Sequence, residues 1–311
     1  MKKIYAIISS QVFLAVVFLF STSVSVSQES RVFSLEDFDL VGNVKSCIVI
    51  TNYGKEEYDF NEEGLLIKSI TRYNDLDYDI TYYKYQNKEL LEKRVENYRG
   101  DKFDRSTSIA NFYTIDTTDN RMVTEKIISY NKELLEQYEY QYDANNKLVN
   151  IKRTNNEGID GTRVEYANYK GESTITYFLD EIIQKSIRKS ERKTKDKKVQ
   201  ITRLTKKFLE GKPSTALEEV FSPDAKLISE NKFEYDSIAR QFAIKTSVNY
   251  KYNKQGMLAE ERIKAVQKEE EVKNYIYQYD NGENGNWIKQ IITPNNTFTT
   301  RKIKYYPIEA E

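Results

Sequence analysis

A tyrosine recurs along this chain at intervals of about 27 residues, and each copy precedes a turn-forming segment and then aliphatic residues. The pairs separated by this interval are Tyr58 and Tyr85, Tyr142 and Tyr169, and Tyr252 and Tyr279. A fixed period of this size indicates stacked supersecondary units rather than one irregular globular core. The repeat therefore constrains the architecture more strongly than it constrains the ligand.

The residues before each turn alternate between aromatic and polar side chains. Tyr138, Tyr140 and Tyr142 share one side of a strand, and Glu139 and Gln141 share the other. Alternation with a period of two is typical of a β-strand. After each turn the chain reverses into an aliphatic run, so we predict two strands per unit and about eighteen short antiparallel strands in total.

Aspartate and glycine mark the turns between these strands. An aspartate side chain can accept a hydrogen bond from the backbone one or two residues further on, and glycine adopts a positive φ without steric cost. The residues that we assign to the repeat turns are Tyr58, Asp59, Gly64, Tyr142, Asp143, Tyr252, Gly256, Tyr279, Asp280 and Gly285.

The pattern Tyr-x-Tyr-Asp, followed by Asn or Gly and then Leu, resembles the YD repeat of Rhs-type and teneurin-like proteins. The stretch from Tyr277 to Trp287 is the most specific match, because Gly-Asn-Trp after the turn is typical of small secreted bacterial members with degenerate repeats. The resemblance covers most of residues 50–306. Large members wind into a hollow β-shell around a toxin domain, but this chain is too short for that shell and lacks the toxin module and the self-cleavage motif. The resemblance therefore implies an all-β, open, curved antiparallel β-meander that works outside the cytoplasm.

The first residues predict export. Lys2 and Lys3 precede an almost wholly apolar run from Ile4 to Phe20, and Ser25-Val26-Ser27 has the small residues of a cleavage site. We predict a signal peptide over residues 1–27 and a single repeat domain over residues 28–311, in the periplasm or outside the cell. A retained membrane anchor is the alternative.

The composition limits the kinds of catalytic and metal-binding sites that the chain can form. The chain has 48 basic and 48 acidic residues, 1 cysteine and no histidine. Histidine is the commonest general base and metal ligand, so its absence favours a protein that is not an enzyme and that binds no cofactor and no metal. Asp75, Asp77 and Asp79 resemble the start of a calcium loop, but the glycine and glutamate of that loop are missing further on. Cys47 lies in a strand-like run and is expected to be a small buried residue.

Residues 181–212 carry 12 basic and 4 acidic residues, a net charge of +8, and their pattern predicts a hairpin. As a binding element, this hairpin would recognise an acidic glycan or another polyanion of the cell envelope. The alternative is a solvated hairpin that discourages edge aggregation. The candidate ligand-binding residues in it are Lys185, Arg188, Lys189, Arg192, Lys193, Lys195, Lys197 and Lys198.

A second candidate ligand surface is aromatic and comprises Tyr277, Tyr279 and Trp287, the only tryptophan. Rings at a strand end can stack on the face of a pyranose, although Trp287 could equally seal the core of the last repeats. We predict an exported, non-catalytic binding or scaffold protein whose first ligand class is a glycan or a cell-envelope component.

Three alternatives remain beside that prediction. One is a protein–protein module that recruits a partner strand at an exposed sheet edge. Another is an envelope polysaccharide hydrolase with two catalytic acids, and it is less favoured because no local motif points to the pair. An outer-membrane barrel is weaker still, since charged strands such as residues 91–96 leave no apolar band. We expect no nucleic-acid partner and no membrane span after signal cleavage.

Overall fold

The computed structural model describes residues 31–194, 196–280 and 285–307, which form one antiparallel sheet of 20 strands. The strands are β1 (Val44–Ile50), β2 (Lys55–Phe60), β3 (Leu66–Arg72), β4 (Tyr78–Gln86), β5 (Glu89–Arg99), β6 (Lys102–Asp116), β7 (Met122–Ser129), β8 (Leu134–Tyr142), β9 (Leu148–Asn155), β10 (Gly158–Tyr169), β11 (Glu172–Leu179), β12 (Ile182–Lys193), β13 (Val199–Leu209), β14 (Lys212–Phe221), β15 (Leu227–Asp236), β16 (Gln241–Tyr252), β17 (Leu258–Ala265), β18 (Glu271–Tyr279), β19 (Trp287–Thr293) and β20 (Thr297–Tyr305). A short 3-10 helix, Leu35–Phe38, precedes them. Within the described ranges, no helix has the length and apolar character needed to cross a bilayer.

Each strand pairs with its neighbours in the chain, and the sheet closes on itself. β1 pairs with β20 from Val44↔Tyr305 to Ile50↔Thr300, in addition to its pairing with β2. The prediction of an open meander is therefore wrong, although the all-β, antiparallel part of it is confirmed. A ring needs only that the first and last strands meet, and twenty strands spaced about 4.8 Å apart provide a circumference of roughly 100 Å.

Closure also affects the alternative function that relied on sheet edges. Every strand of the described chain has a hydrogen-bonded neighbour on both sides, because β1 and β20 pair with one another. A partner strand would find no free edge to extend. The edge-recruitment mechanism therefore has no surface on the described barrel.

The two faces of the sheet differ in burial. The face that we call the tyrosine face carries a buried cluster of Val123, Tyr138, Tyr140, Tyr142 and Ile151, on β7, β8 and β9. Residues 31–43 pack on a different cluster, so they do not cover this one. We therefore infer that the curvature of the sheet brings these side chains together and that the tyrosine face lines the inside of the barrel.

The opposite face, which we call the charged face, points outward. It carries a charged side chain on nearly every strand, because many polar residues of the period-2 pattern fall on this side. Examples that the strand register places there are Arg94, Lys126, Lys152, Arg188, Glu218, Arg262 and Lys302.

The repeat motif has a local structural cause. In the β16–β17 turn, the backbone N–H of Met257 donates to Oδ1 of Asn253 at 2.9 Å, and Asn253 N–H donates to the Met257 carbonyl at 2.8 Å. Gly256 takes the positive φ that such a turn requires, +83°. The turns that begin at Asn61 and Asp143 have the same arrangement.

A β-bulge precedes most of these turns, at the recurring aromatic residue. The register shifts at Tyr85, Tyr142, Tyr252 and Tyr279 mark it. In the first copy the bulge falls on Phe60 and the turn begins at Asn61, so Tyr58 and Asp59 lie within β2 rather than in the turn. At residues 61–65, 143–147 and 253–257 the repeat therefore encodes a bulge and a five-residue turn, whereas the turn after Tyr85 has two residues, 87–88. The bulge and the turn together pin the register of the hairpin.

Candidate functional site

The candidate site lies at the end of the barrel where the turns β2–β3, β4–β5 and so on to β18–β19 are found. We call it the plugged end, because the N-terminal segment (residues 31–43) packs there against the tyrosine face. Leu35 N–H donates to the Gly64 carbonyl at 3.0 Å, and Leu66 N–H donates to the Phe33 carbonyl at 2.9 Å. The segment is thus fixed to the β2–β3 turn on one side of the barrel.

Apolar side chains anchor the segment. Leu40 is buried with Val44, Cys47, Phe60 and Leu66, and other apolar side chains of the segment pack against this cluster. The side chain of Cys47 is 1% exposed, as expected from the sequence, and burial raises the pKa of its thiol to about 11. A thiol in that state is a packing residue rather than a nucleophile.

Two polar side chains hold the other end of the segment. Asn286, which is 3% exposed, accepts from Val41 N–H and donates to the Val41 carbonyl, both at 2.8 Å. Arg301 on β20 donates to the carbonyls of Phe38 at 2.8 Å and Asp39 at 3.3 Å. These contacts satisfy backbone groups at the end of the 3-10 helix, which would otherwise lack partners inside the protein.

A cavity of about 510 Å³ separates the segment from the β16–β17 and β18–β19 turns. Its lining combines carboxylates, a lysine, amides, two aromatic rings and aliphatic groups. The lining residues are Glu36, Asp39, Leu40, Val41, Lys254, Gln255, Met257, Tyr279, Gly285, Asn286 and Trp287. Its size lies within the range of small-molecule sites in proteins.

Two of the three aromatic residues predicted from the sequence, Tyr279 and Trp287, line this cavity, and Tyr277 packs against Trp287. Tyr279 pairs directly with Trp287 across β18 and β19, and the ring centroids of Tyr277 and Trp287 lie 5.9 Å apart. The Arg301 guanidinium lies 3.5 Å from the centroid of the Trp287 ring. Trp287 is only 6% exposed, so it serves as a wall that Arg301 supports rather than as a free stacking platform.

Some hydrogen-bonding groups on this wall have a partner and others do not. The Tyr277 hydroxyl donates to the Leu258 carbonyl at 2.9 Å, and burial raises its pKa to about 12. The Tyr279 hydroxyl and the Trp287 indole N–H are buried and find no hydrogen-bond partner among the residues that the structure describes. A buried donor without a partner costs about 1–3 kcal/mol. Both atoms lie beneath the cavity surface rather than on it.

Asp39 provides a pH-dependent group at the cavity. Asp39 is exposed to solvent, but the surrounding barrel partly desolvates its carboxyl and raises its pKa above the usual 3.8, and the positive charges of Arg301 and Lys226 oppose that shift. The folded protein thus holds the proton more tightly than the unfolded chain does. The resulting stabilisation is complete below the unfolded pKa and disappears as the pH rises through the folded pKa.

We therefore expect the Asp39→Asn variant to melt close to the wild-type temperature at about pH 3 and slightly above it, by about one degree, at about pH 7. Only the wild type loses a stabilising proton on the way, and solvent at the exposed carboxyl keeps the effect small. Asparagine suits the site because Asp39 has a φ of +51°, which asparagine tolerates. Thermal melts across this pH range measure the difference. A difference that stays constant with pH would contradict the desolvation assigned to the carboxyl.

The basic hairpin is divided by the alternation of its strands. Lys185, Lys189 and Lys193 on β12 face inward, whereas Arg188 and Arg192 face outward. Lys185 lies opposite Lys207, and burial together with that like charge lowers its pKa. Arg188 pairs with Glu172 at 3.3 Å. Lys197 and Lys198 lie in the turn, and Lys195 lies outside the described residues. The barrel does not gather these charges into one surface.

Sequence reasoning missed the N-terminal half of the site. Glu36 and Asp39 belong to a segment without the repeat, and no motif predicts where it packs. Its apolar residues, Phe33, Leu35, Phe38 and Leu40, were the one available signal that it is a packed element. In the described ranges, no group of three or more Cys, Asp or Glu side chains is arranged to hold a metal ion.

Comparisons with known proteins add no family. No family model matches the chain, and no curated protein matches it. A solved protein of unknown function from Bacteroides fragilis aligns with 8% identity and a TM-score of 0.19, over 55% of this chain and 91% of that one. A porin-like protein from Bacteroides vulgatus aligns with 10% identity and a TM-score of 0.25, over 85% of this chain and 99% of that one. These two likenesses are too distant to carry an argument about fold or function.

Proposed function

We propose that this is an exported, non-catalytic binding protein that takes a short neutral saccharide into the cavity at its plugged end. The observation that carries the proposal is a cavity of about 510 Å³ whose lining joins the side chains of Tyr279 and Trp287 to carboxylates, amides and one lysine. Saccharides carry many hydroxyl groups that donate and accept hydrogen bonds, which suits a lining of this composition.

The charges at the cavity favour a neutral ligand over an acidic one. Glu36 and Asp39 contribute two carboxylates to the lining, and Lys254 contributes one cation. Carboxylates accept hydrogen bonds from sugar hydroxyls, but they repel the carboxylates and phosphates of an acidic glycan. The division of the basic hairpin between two faces also removes the main support for a polyanion ligand.

The charged outer face supports a location in water on the far side of the inner membrane. A charged side chain facing lipid at the middle of a bilayer costs roughly 2–4 kcal/mol, and this face carries one on nearly every strand. The inner face is charged as well, with Glu125 and Lys273 among its buried residues. The proposal therefore places the barrel in the periplasm or outside the cell, where the signal peptide would deliver it.

The test is binding of the purified protein to arrays of neutral and acidic oligosaccharides at low and at high salt. We expect binding of a neutral saccharide that resists salt and weakens about tenfold in the Tyr279→Ala variant, which removes a ring from the cavity wall. Tyr169→Ala, at an exposed tyrosine of the same end, is the matched control and should bind like the wild type.

Two outcomes would overturn the proposal. Equal binding by the wild type and Tyr279→Ala would exclude the cavity as the site. Salt-sensitive binding to acidic glycans only, lost when Lys197 and Lys198 are replaced with Glu, would move the site to the basic hairpin.

A further inference from the structure

The end of the barrel opposite the N-terminal segment, which we call the far end, is rimmed by exposed apolar side chains. The turns β1–β2, β3–β4 and so on to β19–β20 lie there, because consecutive strands run in opposite directions. Twelve of the large hydrophobic residues with high exposure lie in or next to these turns: Tyr53, Tyr73, Leu76, Tyr130, Leu134, Leu135, Ile159, Ile182, Leu209, Ile238, Val266 and Phe298.

Five of these side chains lie on consecutive turns. The aliphatic arc consists of Ile159, Ile182, Leu209, Ile238 and Val266, which lie in or beside the five turns from β9–β10 to β17–β18. Ile238 is 94% exposed and Leu209 is 70% exposed. The turns β11–β12 and β13–β14 are in contact, since a Cβ on Gly211 would lie 3.4 Å from Cγ2 of Ile182. Exposed aliphatic residues on five turns in succession make this rim a candidate interaction surface.

The far end is also acidic. Its ten turns contain ten acidic and three basic residues, a net charge of −7. The described turn residues at the plugged end include seven acidic and eight basic residues, and residues 31–43 add three acidic residues and one basic residue, which gives a net charge of −1. The far end is therefore the more negative of the two, and it also carries more of the exposed large hydrophobic residues.

We propose that the aliphatic arc is a docking surface for a partner protein whose own contact face is basic and apolar. Its apolar side chains would be buried against the partner, and the surrounding carboxylates would select and orient a positive face. A second copy of this chain fits less well, because two far ends would bring net charges of −7 together. An anionic lipid surface is disfavoured for the same electrostatic reason.

The experiment uses a fluorescent amphipathic helix of leucine and lysine as the probe, and the same residues in scrambled order as its control. Anisotropy would measure binding of each peptide to the purified protein. The arc variant Leu209→Ser/Ile238→Ser/Val266→Ser should bind the amphipathic peptide at least tenfold more weakly than the wild type does. The variant Ile67→Ser/Tyr169→Ser/Val199→Ser changes exposed residues at the plugged end and should bind like the wild type.

Further experiments distinguish a basic partner protein from a second copy of the chain and from a membrane. Replacing Glu210, Glu269 and Glu270 with Lys should weaken peptide binding, because it reverses charge beside the arc. Sedimentation velocity would detect dimers of the protein. Flotation with phosphatidylethanolamine–phosphatidylglycerol vesicles would detect membrane binding. Equal binding of both peptides, or no loss in the arc variant, would overturn the proposal. So would arc-dependent dimers or arc-dependent vesicle binding, which would assign the surface to a second copy or to a membrane.

Discussion

Replacing Tyr140 with alanine should lower the free energy of unfolding by about 4 kcal/mol, since large-to-small changes of buried aromatic residues cost about 3–5 kcal/mol. Tyr140 is 1% exposed at the centre of the cluster formed by β7, β8 and β9. Its hydroxyl donates to Glu125 at 3.1 Å, and Glu125 also accepts from Tyr113 at 2.9 Å. The substitution leaves a cavity and removes a donor from a buried carboxylate. Urea denaturation of the purified protein measures the loss.

Two further variants divide this effect into its parts. Tyr140→Phe keeps the ring and removes the hydrogen bond, so we expect a loss of about 1–2 kcal/mol. Tyr82→Ala removes a ring from the charged face, where 37% of the residue is exposed, and should cost less than Tyr140→Ala. Similar losses for Tyr140→Ala and Tyr82→Ala would mean that the tyrosine face is not the buried one.

The second large effect is expected for Arg301→Leu, which should release the N-terminal segment and reduce stability by about 3 kcal/mol. Leucine keeps much of the apolar volume, but it cannot donate to the carbonyls of Phe38 and Asp39 or stack as a cation on Trp287. Limited proteolysis should then cut within residues 31–43, and saccharide binding should fall with the loss of one cavity wall.

Lys302→Leu is the matched control for this prediction. Lys302 is the next residue on β20, and its side chain lies on the charged face. The variant should keep the protease resistance of residues 31–43 and the binding of saccharide. An Arg301→Leu protein that resists protease like the control would show that the apolar cluster around Leu40 holds the segment without help.

The local structure could be predicted because short-range sequence patterns determine it. Alternation of Tyr138, Tyr140 and Tyr142 with polar residues predicts a strand with two unlike faces, and Asn253 and Gly256 predict a turn. Closure could not be predicted in this way, since it depends on β1 meeting β20 more than 200 residues away. No local pattern in either strand records that meeting. The strand number was underestimated for a simpler reason, because eroded copies of the repeat hide two strands.

The same distinction between local pattern and long-range packing applies to the candidate site. Tyr277, Tyr279 and Trp287 belong to one hairpin, so sequence proximity was enough to predict that they lie together. The N-terminal segment reaches the site through tertiary packing alone. The basic hairpin shows the opposite error: residues close in sequence were treated as one surface, although a period of two sends Lys189 and Arg188 to opposite faces.

The seam between β1 and β20 has a consequence for how the molecule forms in time. Synthesis proceeds from the N-terminus, so β1 emerges long before β20. Until the last strand arrives, the growing ribbon carries two unpaired edges, which are templates for aggregation. Closing a loop of this length is entropically slow, whereas each hairpin forms locally. Assembly should thus be fast along the ribbon and limited by the final meeting of its ends.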